Sequence, residues 1–233
     1  EKLTLELCQE VGFSLAKMTK NAKVLIGRDT RESGEKILQS VAKGLAQNGA
    51  EIFDAGIIST AGVAFLTRFF EFDYGVMITA SHNPSEYNGI KIFNKNGYKL
   101  NENQEIMLEK GLKLQKSNKK PQIKKVSIDA YIKFLNLVCD KDLSDLKIFL
   151  DLSNGAVSSY AKAIFESLGA KTVVVNDGGE INKNASVLDE NIFIQNMKKS
   201  KCDIGFCFDG DADRVMCITK DNIVLDGDKI LWI

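Results

Sequence analysis

The sequence predicts an α/β protein of two tandem three-layer α/β domains with mixed, mainly parallel sheets. Three observations carry this. Apolar residues at helical spacing alternate with short apolar runs of strand length along most of the chain. The alternation breaks once, at the polar, lysine-rich stretch Gln115 to Lys125, which separates two β/α/β series and reads as a solvated linker. Of the 233 residues, 44% are hydrophobic, which suffices for real cores.

In the first series, Leu7, Val11, Leu15 and Met18 share one helix face. A strand over Lys23 to Gly27 follows, then a helix from Ser33 that turns Ile37, Val41 and Leu45 inward and stops at Asn48-Gly49. Strand Glu51 to Asp54, helix Thr60 to Phe70 and strand Tyr74 to Thr79 come next. Ile90 to Phe93 and Tyr98 to Leu100 read as a hairpin about Asn94 to Gly97, which would hold Lys91 near the loop after Thr79. Asn103 to Leu114 reads as a helix. In the second series an amphipathic helix near Ile128 to Val138 leads to strand Lys147 to Leu152 and the turn Ser153-Asn154-Gly155. Helix Ala156 to Leu168 with Gly169 beyond it, strand Lys171 to Val175, helix Asn191 to Ser200 and strand Ile204 to Phe208 complete it. Domains are expected at 1–122 and 123–222, with 223–233 opening a third. Consecutive β/α/β units imply right-handed parallel crossovers.

Lys plus Arg equals Asp plus Glu at 31 each, so no bulk positive field draws nucleic acid or a membrane surface. No apolar run approaches the roughly 20 residues of a membrane span and no signal-peptide pattern opens the chain, so a cytoplasmic protein is expected. Cys8, Cys139, Cys202, Cys207 and Cys217 lack paired metal-ligand spacing; Cys207 and Cys217 read as small core residues.

The run Phe208-Asp209-Gly210-Asp211-Ala212-Asp213-Arg214 sets three carboxylates at alternate positions after an apolar strand. Carboxylates this close repel one another, which argues for a bound cation, and an all-oxygen, charge-rich cage suits Mg²⁺, with a phosphate as the missing ligand. A calcium-binding helix-loop-helix would need Gly sixth and Glu twelfth, where this run has Arg214 and Lys220. An aspartyl-phosphate phosphatase with Asp209 as nucleophile stays open so long as no other phosphoryl carrier exists; a solvated acidic turn is the bland alternative.

A carrier does exist. The apolar run Tyr74 to Ile78 delivers Thr79-Ala80-Ser81-His82-Asn83-Pro84, then Ser85-Glu86-Tyr87-Asn88-Gly89-Ile90-Lys91. Ser81 falls just past a strand's carboxyl end, where open α/β sheets place their chemistry. Small Ala80 lets a phosphate approach, and Asn83-Pro84 and Asn88-Gly89 are turn dipeptides that hold a loop in shape. His82 is the only histidine. No Gly-x-Ser-x-Gly elbow surrounds Ser81, which sets acyl transfer aside.

TASHNP followed by EYNGIK, with FDGDADR about one domain later, resembles the α-D-phosphohexomutases, the family of phosphoglucomutase, phosphomannomutase and phosphoglucosamine mutase. Ile26-Gly27-Arg28-Asp29-Thr30-Arg31-Glu32-Ser33-Gly34 and Asp226-Gly227-Asp228 extend the resemblance over nearly the whole chain. It implies that Ser81 is the phosphoserine and that Asp209, Asp211 and Asp213, with that phosphate, ligate Mg²⁺. Arg214 would contact the phosphoryl group or its acceptor, and Lys91 and His82 would handle protons. The implied reaction moves a phosphoryl group between O6 and O1 of a hexose phosphate through phospho-Ser81 and a 1,6-bisphosphate, in a cleft closed to water. Hexose or hexosamine phosphates and their 1,6-bisphosphates are the expected partners, and a homodimer stays open.

Gly56 to Arg68 and the tail Asn222 to Asp228 are most similar to the phosphoglucosamine members, which favours glucosamine phosphate as substrate. Thr79 before Ala80 and Glu86-Tyr87-Asn88 are closer to the phosphomannomutase and phosphoglucomutase pattern, so those substrates are the alternative. A non-catalytic phosphosugar-binding protein is the more remote reading. Arg28, Asp29 and Arg31 either touch phosphate or form an ion-pair latch between domains, and Ser33-Gly34 reads as a helix start. Gly178-Gly179-Glu180-Ile181-Asn182 resembles a family loop, but Ala185 to Leu188 depart from its usual Gly-Ser-Thr-His, which removes support for a substrate role there. The start at Glu1 and the apolar end Ile230-Leu231-Trp232-Ile233 predict that the family's sugar-recognition and phosphate-clamp residues lie outside this chain.

Overall fold

The computed structural model describes residues 3–112 and 120–232. Its contacts divide the chain into two units. Unit 1 comprises residues 1–79 and 88–128, and unit 2 comprises residues 80–87 and 129–233.

Unit 1 is built on a five-stranded mixed sheet in the order β4-β3-β1-β2-β5. The strands are β1 (Lys23–Arg28), β2 (Glu51–Ile57), β3 (Tyr74–Ile78), β4 (Ile90–Asn94) and β5 (Ile123–Lys125). β1 runs parallel to β2 and β3, β5 parallel to β2, and β4 antiparallel to β3. Every residue of β3 is buried, which is why it reads as an uninterrupted apolar run. Val24, Ile26, Ile52, Val76 and Ile78 turn to one face, where they pack with Leu15 of α1 (Leu5–Met18) and with Leu38, Val41 and Leu45 of α2 (Gly34–Gln47). Leu108 of α4 (Glu102–Lys110) joins that face. The opposite face carries α3 (Thr60–Phe69), whose Ser59 cap accepts a hydrogen bond from Gly62 N at 3.1 Å.

α1 and α2 cross closely. A Cβ placed on Gly44 would run into Gln9 O and lie 2.6 Å from Phe13 N, and one on Gly12 would run into Val41 O, so each glycine is where the other helix's backbone passes.

Unit 2 carries a second five-stranded mixed sheet, β10-β9-β8-β6-β7. Its strands are β6 (Lys147–Asp151), β7 (Lys171–Val175), β8 (Ile204–Phe208), β9 (Val215–Thr219) and β10 (Val224–Leu225). β6 is parallel to β7 and β8, while β9 is antiparallel to both β8 and β10. Phe149, Cys207 and Ile218 pack with Phe193 and Met197 of α7 (Glu190–Ser200) on one face. On the other, Phe206 stacks on Phe165 of α6 (Ala161–Ser167) with ring centroids 5.8 Å apart, and Tyr131 of α5 (Asp129–Val138) meets Tyr160 edge to face. α8 (Gly227–Trp232) follows β10. Both expected α/β/α sandwiches are therefore present. Cys8, Cys202, Cys207 and Cys217 are buried, and burial pushes the Cys8 thiol up to about 11 and those of Cys207 and Cys217 upward, which suits inert packing residues.

Four expectations need correction or completion. The linker expected over 115–125 falls partly on residues 115–119, outside the described residues, and its last part, Ile123–Lys125, is strand β5, held at the edge of the sheet by β2. The helix expected from Ala156 begins only at Ala161: Ala156 N donates 2.8 Å to Gly210 O, and the residues between close tighter turns through Ser158 N to Gly155 O (3.2 Å) and Tyr160 N to Val157 O (3.1 Å). Tyr98 to Leu100 return along β4 through Asn94 N to Tyr98 O (2.8 Å) and Leu100 N to Ile92 O (3.2 Å), but only Lys99 bridges, so the hairpin's second arm is not a strand. Within unit 1, Arg28 pairs with Glu35 and Asp54, and Asp29 with Arg31 in a fully buried pair.

Gly44→Ala is expected to force α1 off α2 and to destabilise the protein by about 2 kcal/mol, within the range for an overpacked core. Urea unfolding against the parent chain measures it.

Candidate active site

The acidic cage is the connection between antiparallel β8 and β9, residues 209–214. Its turn closes through Ala212 N to Asp209 O (2.9 Å) and Asp209 N to Arg214 O (3.4 Å), with Ala212 at φ +51°. Asp209 and Asp211 are fully buried and Asp213 is exposed, and one oxygen from each lies within 4.8 Å of the others. Three hard oxygen donors converging in this way fit a small divalent cation such as Mg²⁺, which takes a few carboxylates together with phosphate oxygens or waters.

Residues 80–87 reach this cage and group with unit 2. Ser81 Oγ donates to Asp209 Oδ2 at 2.6 Å, and Arg214 Nη2 donates to Ser81 Oγ at 2.9 Å. Asp209 also accepts from Arg214 N at 3.1 Å and from Arg214 Nε at 3.3 Å. Burial pushes the Asp209 carboxyl up, Asp211 and Asp213 add to the rise by repulsion, and the Ser81 hydroxyl and Arg214 N–H oppose it. His82 Nδ1 lies against Arg214 Nη2. A guanidinium can only donate, so Nδ1 is the acceptor and the ring proton belongs on Nε2.

Of the residues singled out in the sequence, unit 2 thus gathers Ser81, His82, Asp209, Asp211, Asp213 and Arg214. Lys91 lies on β4 opposite Met77, within unit 1. Asp29 accepts from Thr79 Oγ1 at 2.7 Å and Thr79 N donates to Gly89 O at 3.0 Å, so unit 1 holds both stems of the serine loop.

The sequence reading named the turn Ser153-Asn154-Gly155 and the loop Gly178 to Asn182 but gave neither a part in supporting the site. Ser153 and Asn154, both left-handed at φ +50° and +52°, form a buried turn after β6. Ser153 Oγ donates to Phe208 O, directly ahead of Asp209. Asn154 takes Gly179 N at 2.7 Å and gives to Glu180 O at 2.9 Å, which ties in the 178–182 loop. From that loop Asn182 Nδ2 donates to the carbonyls of Ser81 (2.8 Å) and Asn83 (2.9 Å), and Glu180 accepts from Ser85 Oγ at 2.7 Å. The Ser85 hydroxyl and the Lys183 ammonium hold the Glu180 carboxyl below its usual range. A Cβ on Gly210 would lie 2.7 Å from Ser81 O, so glycine there lets the two loops meet. Asn-Gly at 154–155 and the Asn-rich 176–184 stretch were the available signals for turns; nothing in them pointed to Ser81.

Asp211→Asn keeps the side chain's shape and removes one of three crowded charges. It is expected to weaken Mg²⁺ binding by at least about tenfold, the smallest loss typical of even outer-sphere partners. The metal-free protein should melt ~2–4 °C higher, the shift that about 1 kcal/mol gives at this size. Titration calorimetry with MgCl₂ and thermal unfolding in EDTA check the two halves.

The phosphoglucomutase/phosphomannomutase alpha/beta/alpha domain I family matches residues 1–119, and domain II of the same family matches residues 127–222. Among curated proteins, the phosphoglucosamine mutase of Thermotoga neapolitana is 41% identical over 241 residues, and that of Clostridium novyi 39% over 248. Each match covers 100% of this chain and 55% of the relative, so the chain spans about half the length of the curated relatives it matches. A solved phosphoglucomutase/phosphomannomutase family protein from Burkholderia thailandensis is 25% identical with TM-score 0.78, over 95% of this chain and 52% of that one. A structure from Thermus thermophilus superposes with TM-score 0.88 at 18% identity, over 98% of this chain and 56% of that one, which speaks for the fold alone.

Proposed function

We propose that this chain, which belongs to the phosphoglucomutase/phosphomannomutase family, carries the phosphoryl-bearing serine and the metal-holding carboxylates of a phosphohexomutase. The protein would move a phosphoryl group between O6 and O1 of glucosamine phosphate, working in the cytoplasm on soluble sugar phosphates. The observation that carries the reading is the Ser81 hydroxyl set between the Asp209 carboxylate at 2.6 Å and the Arg214 guanidinium at 2.9 Å. Likeness to phosphoglucosamine mutases at 36–41% identity supports the choice of sugar.

In one direction the Oγ–P bond of phospho-Ser81 breaks as phosphorus bonds to the free sugar hydroxyl, whose proton passes to a base. In the other, Ser81 Oγ gives up its proton and bonds to the second phosphorus of the 1,6-bisphosphate as the sugar O–P bond breaks, the sugar oxygen takes the proton held by the base, and the carrier is restored. Such a transfer needs alignment and charge neutralisation more than covalent help. Arg214, already donating to Oγ, is placed to meet phosphoryl oxygens as they gather charge. Nε2 of His82 already carries the ring proton, so His82 takes up the acceptor's proton only once Arg214 releases Nδ1, and Lys91 is the second candidate for holding that proton. Asp209, Asp211 and Asp213 would hold Mg²⁺ together with an oxygen on Ser81, and the ion would neutralise the phosphoryl oxygens there.

Incubation with glucose 1,6-bisphosphate and MgCl₂ should leave one phosphoryl group on Ser81 by mass spectrometry, absent from Ser81→Ala and from samples in EDTA. In a protein of the relatives' full length, Ser81→Ala should lower kcat on glucosamine 6-phosphate by at least about 10³-fold, the scale expected when a covalent carrier is lost. A label on Asp209 instead would overturn the reading in favour of a phosphatase. Equal turnover of mannose or glucose 6-phosphate would overturn the choice of sugar.

A further inference from the structure

Ser81 holds φ +53°, a left-handed conformation that residues with a side chain keep only where their surroundings impose it. One nitrogen holds its carbonyl. Asn182 Nδ2 has two hydrogens and spends them on two carbonyls, Ser81 O at 2.8 Å and Asn83 O at 2.9 Å. Because both facing groups are carbonyl oxygens, the orientation of the amide is settled, and its Oδ1 is buried without a hydrogen-bond partner. Asn83 N returns to Ala80 O at 3.1 Å, so the turn 80–83 is closed on itself and clasped from outside by the amide.

Asn182 is itself held. It is 5% exposed, sits at φ +62°, and donates N–H to Ser153 O at 2.8 Å. Ser153 Oγ in turn donates to Phe208 O, the residue before Asp209. One strut therefore starts beside the carboxylate and ends on the carbonyl of the serine that faces it. Relaxation of Ser81 toward the right-handed region would swing that carbonyl away from Asn182 and carry Oγ off Asp209.

We infer that Asn182 is a positioning residue for Ser81: its amide keeps the hydroxyl in register with Asp209 and Arg214, and so governs how fast Ser81 gives and takes a phosphoryl group. The rate claim rests on the reading of Ser81 as the phosphoryl carrier; the hold on the loop does not.

Two variants separate these. Asn182→Gly tolerates the left-handed backbone and deletes the amide, while Asn182→Asp keeps the shape and puts a carboxylate against two carbonyls. In the intact protein, assayed with glucosamine 6-phosphate and catalytic glucose 1,6-bisphosphate, both should lose kcat by on the order of tenfold or more, the scale of two hydrogen bonds. KM for the sugar phosphate and the Mg²⁺ dissociation constant should stay within about twofold, because binding groups and carboxylates are untouched. Hydrogen exchange at the Asn83 and Tyr87 amides should accelerate by about tenfold, with exchange in β6 and β8 unchanged. Unaltered exchange at Asn83 together with parental kcat in Asn182→Gly would overturn the inference. So would a parallel fall in Mg²⁺ affinity and thermal stability, which marks a general support. If the parent protein never carries phosphate on Ser81, the functional reading has failed, and the exchange data still decide whether Asn182 holds the loop.

Discussion

A carboxylate with no exposed surface, Asp209, is the group around which unit 2 is arranged. An ion withdrawn from water must be hydrogen-bonded or paired, or the fold bears its desolvation in full. Asp209 meets that requirement with a hydroxyl, a backbone N–H and a guanidinium, and two of the three come from Arg214, five residues along. Asp211 and Asp213 work against it, raising the cost of its charge. Local donors thus stabilise Asp209, and Arg214 Nε also pairs with Asp213 at 3.6 Å; the crowding of three carboxylates still favours a cation and whatever anion the cation brings.

Elsewhere in the fold, burial decided what could be read from the chain. β1, β3, β6 and β8 are central strands, and their apolar runs announce them. β5 hid among lysines because an edge strand needs little burial: Lys124 reaches Glu51 at 2.7 Å and Lys125 reaches Asp54, pairings that suit an edge as well as they suit a solvated linker. β9 was not anticipated because its half-buried residues follow the acidic run too closely to read as a separate element. The stretch expected as the first turn of α6 closes instead through three-residue turns, Ser158 N to Gly155 O and Tyr160 N to Val157 O, while Ala156 N is taken by Gly210 O.

The same contrast holds at the site. Alternate spacing after an apolar strand announced the convergence of Asp209, Asp211 and Asp213, and the strand end at Ile78 announced the loop of Ser81, whereas Arg214 was singled out only through the family resemblance. The supporting parts of Ser153, Asn154 and Asn182 were not legible, because an amide that clasps a carbonyl is written no differently from one that faces water. Left-handed geometry at Ser81, Ser153 and Ala212 left no trace either, as neither serine nor alanine advertises a positive φ. Asn at 154, 176, 182 and 184 did mark places where the chain turns sharply, without saying what those turns would hold.

The Ser81–Asp209 hydrogen bond joins residues 128 apart in sequence. During synthesis at ordinary elongation rates, Asp209 is added on the order of ten seconds after Ser81. Throughout that interval the Ser81 hydroxyl has neither Asp209 nor Arg214 to pair with, and the Asn182 amide is added only towards its end. The hydrogen-bonded arrangement around Ser81 is therefore completed only once translation has passed β8, so the order of assembly alone decides when it exists.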